Sequence, residues 1–235
     1  MKLLQAIQNA VLFITILPVG RWREDVPWEH TLSMFPVVGL VIGALLWTEA
    51  RLVPSIAPVL CLISWVGVTG AFHLDGLADT FDALASGKGK AQRLSIMKEP
   101  HIGTYGVVAV VLVLITKFWC IQNAKAGALV IAPVMGRFSL LMVPWLSTPA
   151  KEHGLGHLVK TNLTKKAMLT AGVTTAVVSL ACGPKGLAAL ATTILLDICI
   201  ASMAEKKFGG ITGDTLGCAC ELTETVVMAL FALWG

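Results

Sequence analysis

Long apolar runs alternate with short polar segments along this chain. Apolar residues dominate 34–50, 52–72, 105–122, 126–147, 167–182 and 186–204, and a last helix runs on from about Gly213. Each run is close to the roughly 20 residues that cross a hydrocarbon core as an α-helix. The stretch 3–19 is apolar but carries Gln5, Gln8 and Asn9 near its start. It reads either as a short span or as a helix lying in the interface. The polar segments 20–33, 73–104, 148–166 and 205–217 separate the runs. This pattern predicts an all-α fold, a polytopic transmembrane helical bundle of about six to eight spans with a polar cytoplasmic helical loop. The whole chain, 1–235, is expected to be a single integral membrane catalytic domain.

Within the polar segment 73–104, a helix is predicted from about Asp75 to Ala85, continuing the preceding span. The Ser86–Lys90 turn breaks it, and a short amphipathic helix over about 91–98 is stopped by Pro100. Gly39 and Gly43 lie four apart in the second run, a small-residue ridge that lets helices approach closely.

Composition agrees with a bilayer environment. Hydrophobic residues make up 56% of the 235 residues and charged residues 14%, with a mean hydropathy of +0.79. A soluble exterior needs more charge than this. The net charge is only +4, and its Lys and Arg are scattered among loops, which argues against a nucleic-acid footprint. The six cysteines mostly lie inside apolar runs and read as small apolar residues. No cleavable signal peptide is evident. The four polar segments share one side if every run between them crosses. They carry twelve of the eighteen Lys and Arg, so that side should be cytoplasmic.

The chemistry gathers in two places. Asp75, Asp79 and Asp82 are spaced four and three apart, within about 60° of arc on a helix. Three carboxylates on one face repel each other unless a cation sits between them, and Mg²⁺ prefers such oxygens while sharing phosphate as a ligand. The plainer reading is a solvated acidic first turn. His73 adjoins the triplet, either as base or ligand or as a packed neutral imidazole. Arg93 and Lys98 follow it and can pair with phosphate oxygens. Gly103 and Gly106 allow close backbone passage. The second place is Gly209–Glu224, where Asp214, Glu221 and Glu224 fall within about 80° of arc. Gly213 there lets the backbone approach a ligand, and the helix it opens offers N–H groups to a phosphate. The plainer reading is a helix cap. Arg137 and Asp197 are intramembrane charges, costly unless paired or exposed to a polar cavity, and can pair with one another.

His-Leu-Asp-Gly-Leu-Ala-Asp-Thr-x-Asp at 73–82, followed by Ile-Met-Lys-x-x-x-Ile-Gly-x-x-Gly at 96–106, resembles the cobalamin synthases, adenosylcobinamide-GDP ribazoletransferases. The Gly-Gly-x-Thr-Gly-Asp-x-x-Gly…Glu-x-x-Glu pattern at 209–224 is similar to theirs as well. Two positions depart from the family form, Glu99 where Asp is usual and His101 where Arg is usual. The resemblance implies an Mg²⁺-dependent phosphotransferase in the inner membrane, with its active site facing the cytoplasm and adenosylcobinamide-GDP and α-ribazole, or its 5′-phosphate, as substrates. The metal would be held by Asp75, Asp79, Asp82, Asp214, Glu221 and Glu224. Catalysis would fall to the three aspartates of the triplet and His73, and substrate binding to Lys98, Arg93, Arg137, Gly103 and Gly213. A homo-oligomer is left open. Two other readings stay open too. A CDP-alcohol phosphotransferase also spaces aspartates around Asp-Gly-x-x-Ala, although the second half of its signature is missing here. A cation transporter would place its acidic site in broken helices at the midplane. The absence of a Gly-x-x-x-x-Gly-Lys-Ser/Thr run argues against a P-loop ATPase.

Overall fold

The computed structural model describes residues 2–124 and 126–234. Among them the chain forms twelve α-helices: α1 (Lys2–Ile14), α2 (Trp28–Ser33), α3 (Phe35–Leu52), α4 (Ala57–Thr69), α5 (Phe72–Ala85), α6 (Lys90–Ile96), α7 (Thr104–Asn123), α8 (Gly127–Leu146), α9 (Leu155–Asn162), α10 (Lys165–Ala181), α11 (Gly183–Phe208) and α12 (Gly213–Leu233). The all-α expectation holds. Five helices are long and apolar enough to cross a bilayer: α2 with α3, then α7, α8, α11 and α12. A sixth span arises if α4 and α5 count as one bent crossing. The span count therefore sits at the low end of the range expected from the sequence. At 13 residues α1 is too short to cross alone, whereas α10, with 17 residues that begin at Lys165 and Lys166, lies at the lower limit of spanning length and packs along α11.

One predicted continuity fails. The helix bearing the first acidic motif does not run on from the preceding span, because α4 and α5 meet at 84°. Gly70 and Ala71 both adopt left-handed backbone, each with φ of 59°. For Ala71 this conformation is costly and must be held by its surroundings. Tertiary contact supplies that hold: the Ile16 N–H donates to the Val68 carbonyl at 2.9 Å, so the chain beyond α1 is fastened beside the bend. The break turns α5 across the end of the bundle.

The bundle is built around α8, which packs against α3, α12, α11 and α10. The small-residue ridge of α3 is spent on this packing. A Cβ at Gly39 would lie 2.6 Å from the Val134 Cα, and one at Gly43 would lie 2.7 Å from the Val130 Cα. At the end that carries α5, the loop after α8 pairs with the loop after α11. Ile211 N–H donates to the Thr148 carbonyl at 2.8 Å, and Ala150 N–H donates to the Ile211 carbonyl at 2.9 Å. Glu205 secures the same loop by accepting from Ser147 Oγ, Thr148 N–H and Thr148 Oγ1 at 2.7–2.8 Å. Contacts of α5 with α12, α6 with α11, and α9 with α8 and α2 gather the four polar segments at one end, as the charge tally implied.

Because the neighbours of Gly39 are backbone atoms, they cannot rotate away. Gly39→Ala should lower stability by about 1–3 kcal/mol. Thermal unfolding of the detergent-purified protein checks this, with Gly172→Ala, which meets nothing within 4 Å, as the control that shows the gain in helix propensity alone, a stabilisation of about 0.5–1 kcal/mol.

Candidate active site

The site begins with a crossing. α5 and α12 touch backbone to backbone where a Cβ on Gly76 would lie 2.8 Å from the Asp214 carbonyl oxygen. A Cβ on Gly217 would lie 3.1 Å from both the Cα and the carbonyl oxygen of His73. Two glycines, one per helix, make this approach sterically feasible. The crossing sets the start of α12 against the middle of α5. Asp79 lies within electrostatic reach of Asp75, Asp214 and Asp82, and Asp214 within reach of Asp75. The two acidic motifs, remote in sequence, therefore meet.

The carboxylates are not equivalent. Asp75 is exposed and Asp79 half-buried, and neither makes a hydrogen bond or ion pair within the described residues. Asp214 accepts only a long hydrogen bond, 3.4 Å, from Thr212 Oγ1. Asp82 is different. Its two oxygens accept from the N–H groups of Gly103 at 2.7 Å and Gly106 at 2.9 Å. It caps α7 from another helix, satisfying N–H groups that its own turn cannot. Gly103 and Gly106 are thereby explained, since a Cβ at either would collide with the Asp82 carboxylate. Asp82 was expected among the metal ligands; here its carboxylate is engaged in joining α5 to α7.

Two further expected ligands are corrected more sharply. Glu221 and Glu224 lie two and three turns deeper along α12, about 10–15 Å beyond Asp214. Both are buried against cations. Lys117 Nζ donates to Glu221 Oε2 at 2.7 Å and to Glu224 Oε2 at 2.5 Å, and Arg137 Nη1 donates to Glu224 Oε1. Lys117 also sits 4.3 Å over the Trp65 ring. Two cations and two anions form a neutral cluster locking α7, α8 and α12 together. Arg137 is thus neither a partner of Asp197 nor open to substrate. Asp197 instead accepts from Ser139 Oγ at 3.1 Å. Lys117 was the unexplained intramembrane charge of the sequence, and its partners stand 104 and 107 residues away.

The cationic side of the site is rearranged as well. Arg93 Nη1 donates to the Lys207 carbonyl and Lys90 Nζ to the Glu205 carbonyl, docking α6 on the C-terminal end of α11. Arg93 therefore serves this docking rather than the acidic patch. Lys98 is exposed just after α6, and the neighbouring Met97 sulfur accepts from Thr212 Oγ1 at 3.8 Å, next to Asp214. The paired loops bring in Lys151, which sequence reasoning did not single out. Burial and the Lys98 ammonium pull the Lys151 amine below its ordinary range, and Asp214 partly offsets this. Nothing local in the sequence marks Lys151; only the pairing of 148–150 with Ile211 places it there.

Beside the carboxylates, a cleft of about 340 Å³ opens between α1, α3, α5, α8, α9 and α12. Its lining includes His73, Asp75, Gly213 and Asp214, together with the apolar Phe13, Phe35, Phe72, Leu140, Leu155 and Val159. His73 is 7% exposed, with Nδ1 unpartnered. Behind it lie Arg137, Glu224 and Lys117, close enough to act on it electrostatically.

Under-neutralised carboxylates at the mouth of a cleft suit a hard divalent cation. Among the described residues, however, no three His, Cys, Asp or Glu side chains converge as a metal-binding group. A cation here would take one or two carboxylates and complete its shell with phosphate oxygens and water, which is the habit of Mg²⁺.

Fold and site together define a multi-pass membrane protein with an acidic cleft at one end of its helical bundle. Family comparison narrows this class. The model for the cobalamin-5-phosphate synthases matches residues 6–232, so the chain belongs to that family. It is 37% identical to a protein of Stutzerimonas stutzeri (strain A1501), over 95% of this chain and 96% of that one. It is also 37% identical to a protein of Pseudomonas aeruginosa (strain PAO1), over 98% of each. A third relative, from Alkaliphilus metalliredigens (strain QYMF), is 37% identical over 90% of this chain and 88% of its own. All three are named adenosylcobinamide-GDP ribazoletransferase. No solved structure gives a significant match.

Two substitutions separate architecture from chemistry. Lys117→Met leaves Glu221 and Glu224 facing one cation, and should cost about 3–5 kcal/mol of stability. Adding Glu221→Gln should recover part of that loss, read as the melting temperature of single and double variants. Asp82→Asn should cost about 1–3 kcal/mol, since one acceptor becomes a donor facing N–H groups.

Proposed function

We propose that this chain carries out the reaction its relatives are named for, transferring the phospho-cobinamide part of adenosylcobinamide-GDP to α-ribazole or its 5′-phosphate. The 5′-hydroxyl oxygen of the nucleoside attacks the phosphorus on the cobinamide side of the diphosphate. A new P–O bond forms as the P–O–P bridge breaks. GMP departs with the bonding electrons, and the hydroxyl proton passes to a base. The product is adenosylcobalamin or its 5′-phosphate.

The observation that carries this reading is the convergence of Asp75 and Asp79, both unpaired, with Asp214, and of Lys151 with Asp214 and Lys98. Phosphoryl transfer needs charge neutralised and the attacking and leaving oxygens held in line; little else is required of the protein. Lys98 and Lys151 pair with phosphate oxygens, and their mutual repulsion is relieved when an anion lies between them. One or two of Asp75, Asp79 and Asp214 would hold Mg²⁺, with phosphate oxygens and water completing its shell, and the ion, when bound, supplies charge neutralisation on the diphosphate and on the leaving GMP. Asp75, Asp79 or His73 accepts the hydroxyl proton. The end of the bundle rich in Lys and Arg faces the cytoplasm, by the same charge bias that orients other membrane proteins, and the bilayer is the cytoplasmic membrane.

Purified protein in detergent should release GMP from adenosylcobinamide-GDP only when α-ribazole and Mg²⁺ are both present. Release without the nucleoside, or none from folded protein, would overturn the assignment. Asp75→Asn and Asp79→Asn should each lower turnover at least about 100-fold. Their melting temperatures should stay near wild type, because neither side chain is bonded within the described fold.

A further inference from the structure

The cleft beside the carboxylates is amphipathic: His73, Asp75 and Asp214 share its lining with hydrocarbon and aromatic rings. Its polar groups cluster where α5 and α12 cross, since Gly76 meets the Asp214 backbone and Gly217 the His73 backbone. Its volume, about 340 Å³, lies near the small end of the roughly 300–1,000 Å³ typical of ligand pockets. Phe13 on its wall is fixed in place. It stacks on Phe35 with centroids 6.0 Å apart and planes 21° from parallel, and the Trp28 ring meets it edge-on at 5.1 Å. His73, more than nine-tenths buried at the polar end, keeps Nδ1 without a partner. A buried polar atom left so is costly unless a ligand completes it.

We propose that this cleft is the seat of the acceptor nucleoside, with its apolar base between Phe13, Phe72 and Leu155 and its ribose at His73 and the carboxylates. The inference rests on the proposed transferase reading and assigns one of its two substrates to a place. The chemistry of the two substrates decides between them. A corrin ring with its amide arms is far too large for the cavity. Guanine carries donors and acceptors around its edge, which these walls would leave unpaired. A dimethylbenzimidazole is flat, with an edge of methyl groups, and asks only for apolar and ring contact. A lipid tail would suit the walls but leave His73 Nδ1 and the carboxylates unanswered. Seated this way, the 5′-hydroxyl comes to the same end of the cleft as Asp75 and Asp214, where the diphosphate is read to bind.

Phe72 and Leu155 test this without disturbing the core, since they are 55% and 54% exposed. Phe72→Ala removes part of the wall, and Leu155→Trp fills the space. Each should raise the KM for α-ribazole about tenfold or more, as changes of this size in an apolar pocket do. The KM for adenosylcobinamide-GDP should move less than about twofold. Equilibrium dialysis of α-ribazole alone against the wild-type protein and both variants gives a second readout that needs no turnover. Wild-type binding that weakens in both variants supports the inference. Active wild type in which the variants shift only the KM for adenosylcobinamide-GDP, or neither KM, overturns it while the transferase reading stands; a lipid-filled cleft would give this result. Failure of wild type to bind the nucleoside also overturns it. Failure of wild type to release GMP, with nucleoside binding that still weakens in both variants, would sink the transferase reading and leave the cleft assigned as a nucleoside seat.

Discussion

Everything at the functional end of this protein depends on how closely α5 and α12 approach. Gly76 meets the Asp214 backbone and Gly217 meets the His73 backbone, with no side chain between the helices. Larger residues at either position would push the helices apart and separate Asp214 from the carboxylates of α5. Proximity is unfavourable for the carboxylates themselves, since like charges brought together raise each other's energy. The fold must therefore hold them against that repulsion. Asp82 ties α5 to the start of α7, and below the site Lys117, Arg137, Glu221 and Glu224 lock α7 and α8 to α12 through buried ion pairs.

Two kinds of carboxylate thus share two helices. Those near the open end, Asp75, Asp79 and Asp214, keep their oxygens largely uncommitted. Asp82, Glu221 and Glu224 are bound to N–H groups or cations and act as joints. The distinction follows from depth and neighbours. A carboxylate enclosed among helices must be paired, because an isolated charge there is too costly. One at the rim can remain unpaired, because water completes it. His73 stands at the boundary, with the cleft on one side and the buried ion pairs on the other.

The α4–α5 bend has a comparable consequence. A straight helix would have carried Asp75 and Asp79 onward, away from the bundle. The 84° turn at Gly70–Ala71 lays α5 across the end of the bundle, where α12 begins. The loop pairing around Thr148 and Ile211 then adds Lys151, and the docking of α6 on α11 adds Lys98, so three separate polar segments supply one site.

The sequence alone determined the bilayer environment, the all-α class and the two acidic motifs, because hydrophobic length and motif spacing are local properties. It also marked Lys117 and Arg137 as charges needing an account. Their partners were decided only by the tertiary structure. A seven- or ten-residue spacing on α12 puts Asp214, Glu221 and Glu224 on one face, yet says nothing of what that face meets at each depth. The face meets open cleft at Asp214 and two cations at the glutamates. The same holds for Asp82, whose helical position matches its neighbours but whose oxygens found the start of α7. Which carboxylates stay free is a question of distance between segments far apart in the chain, and periodicity along one helix carries no information about it.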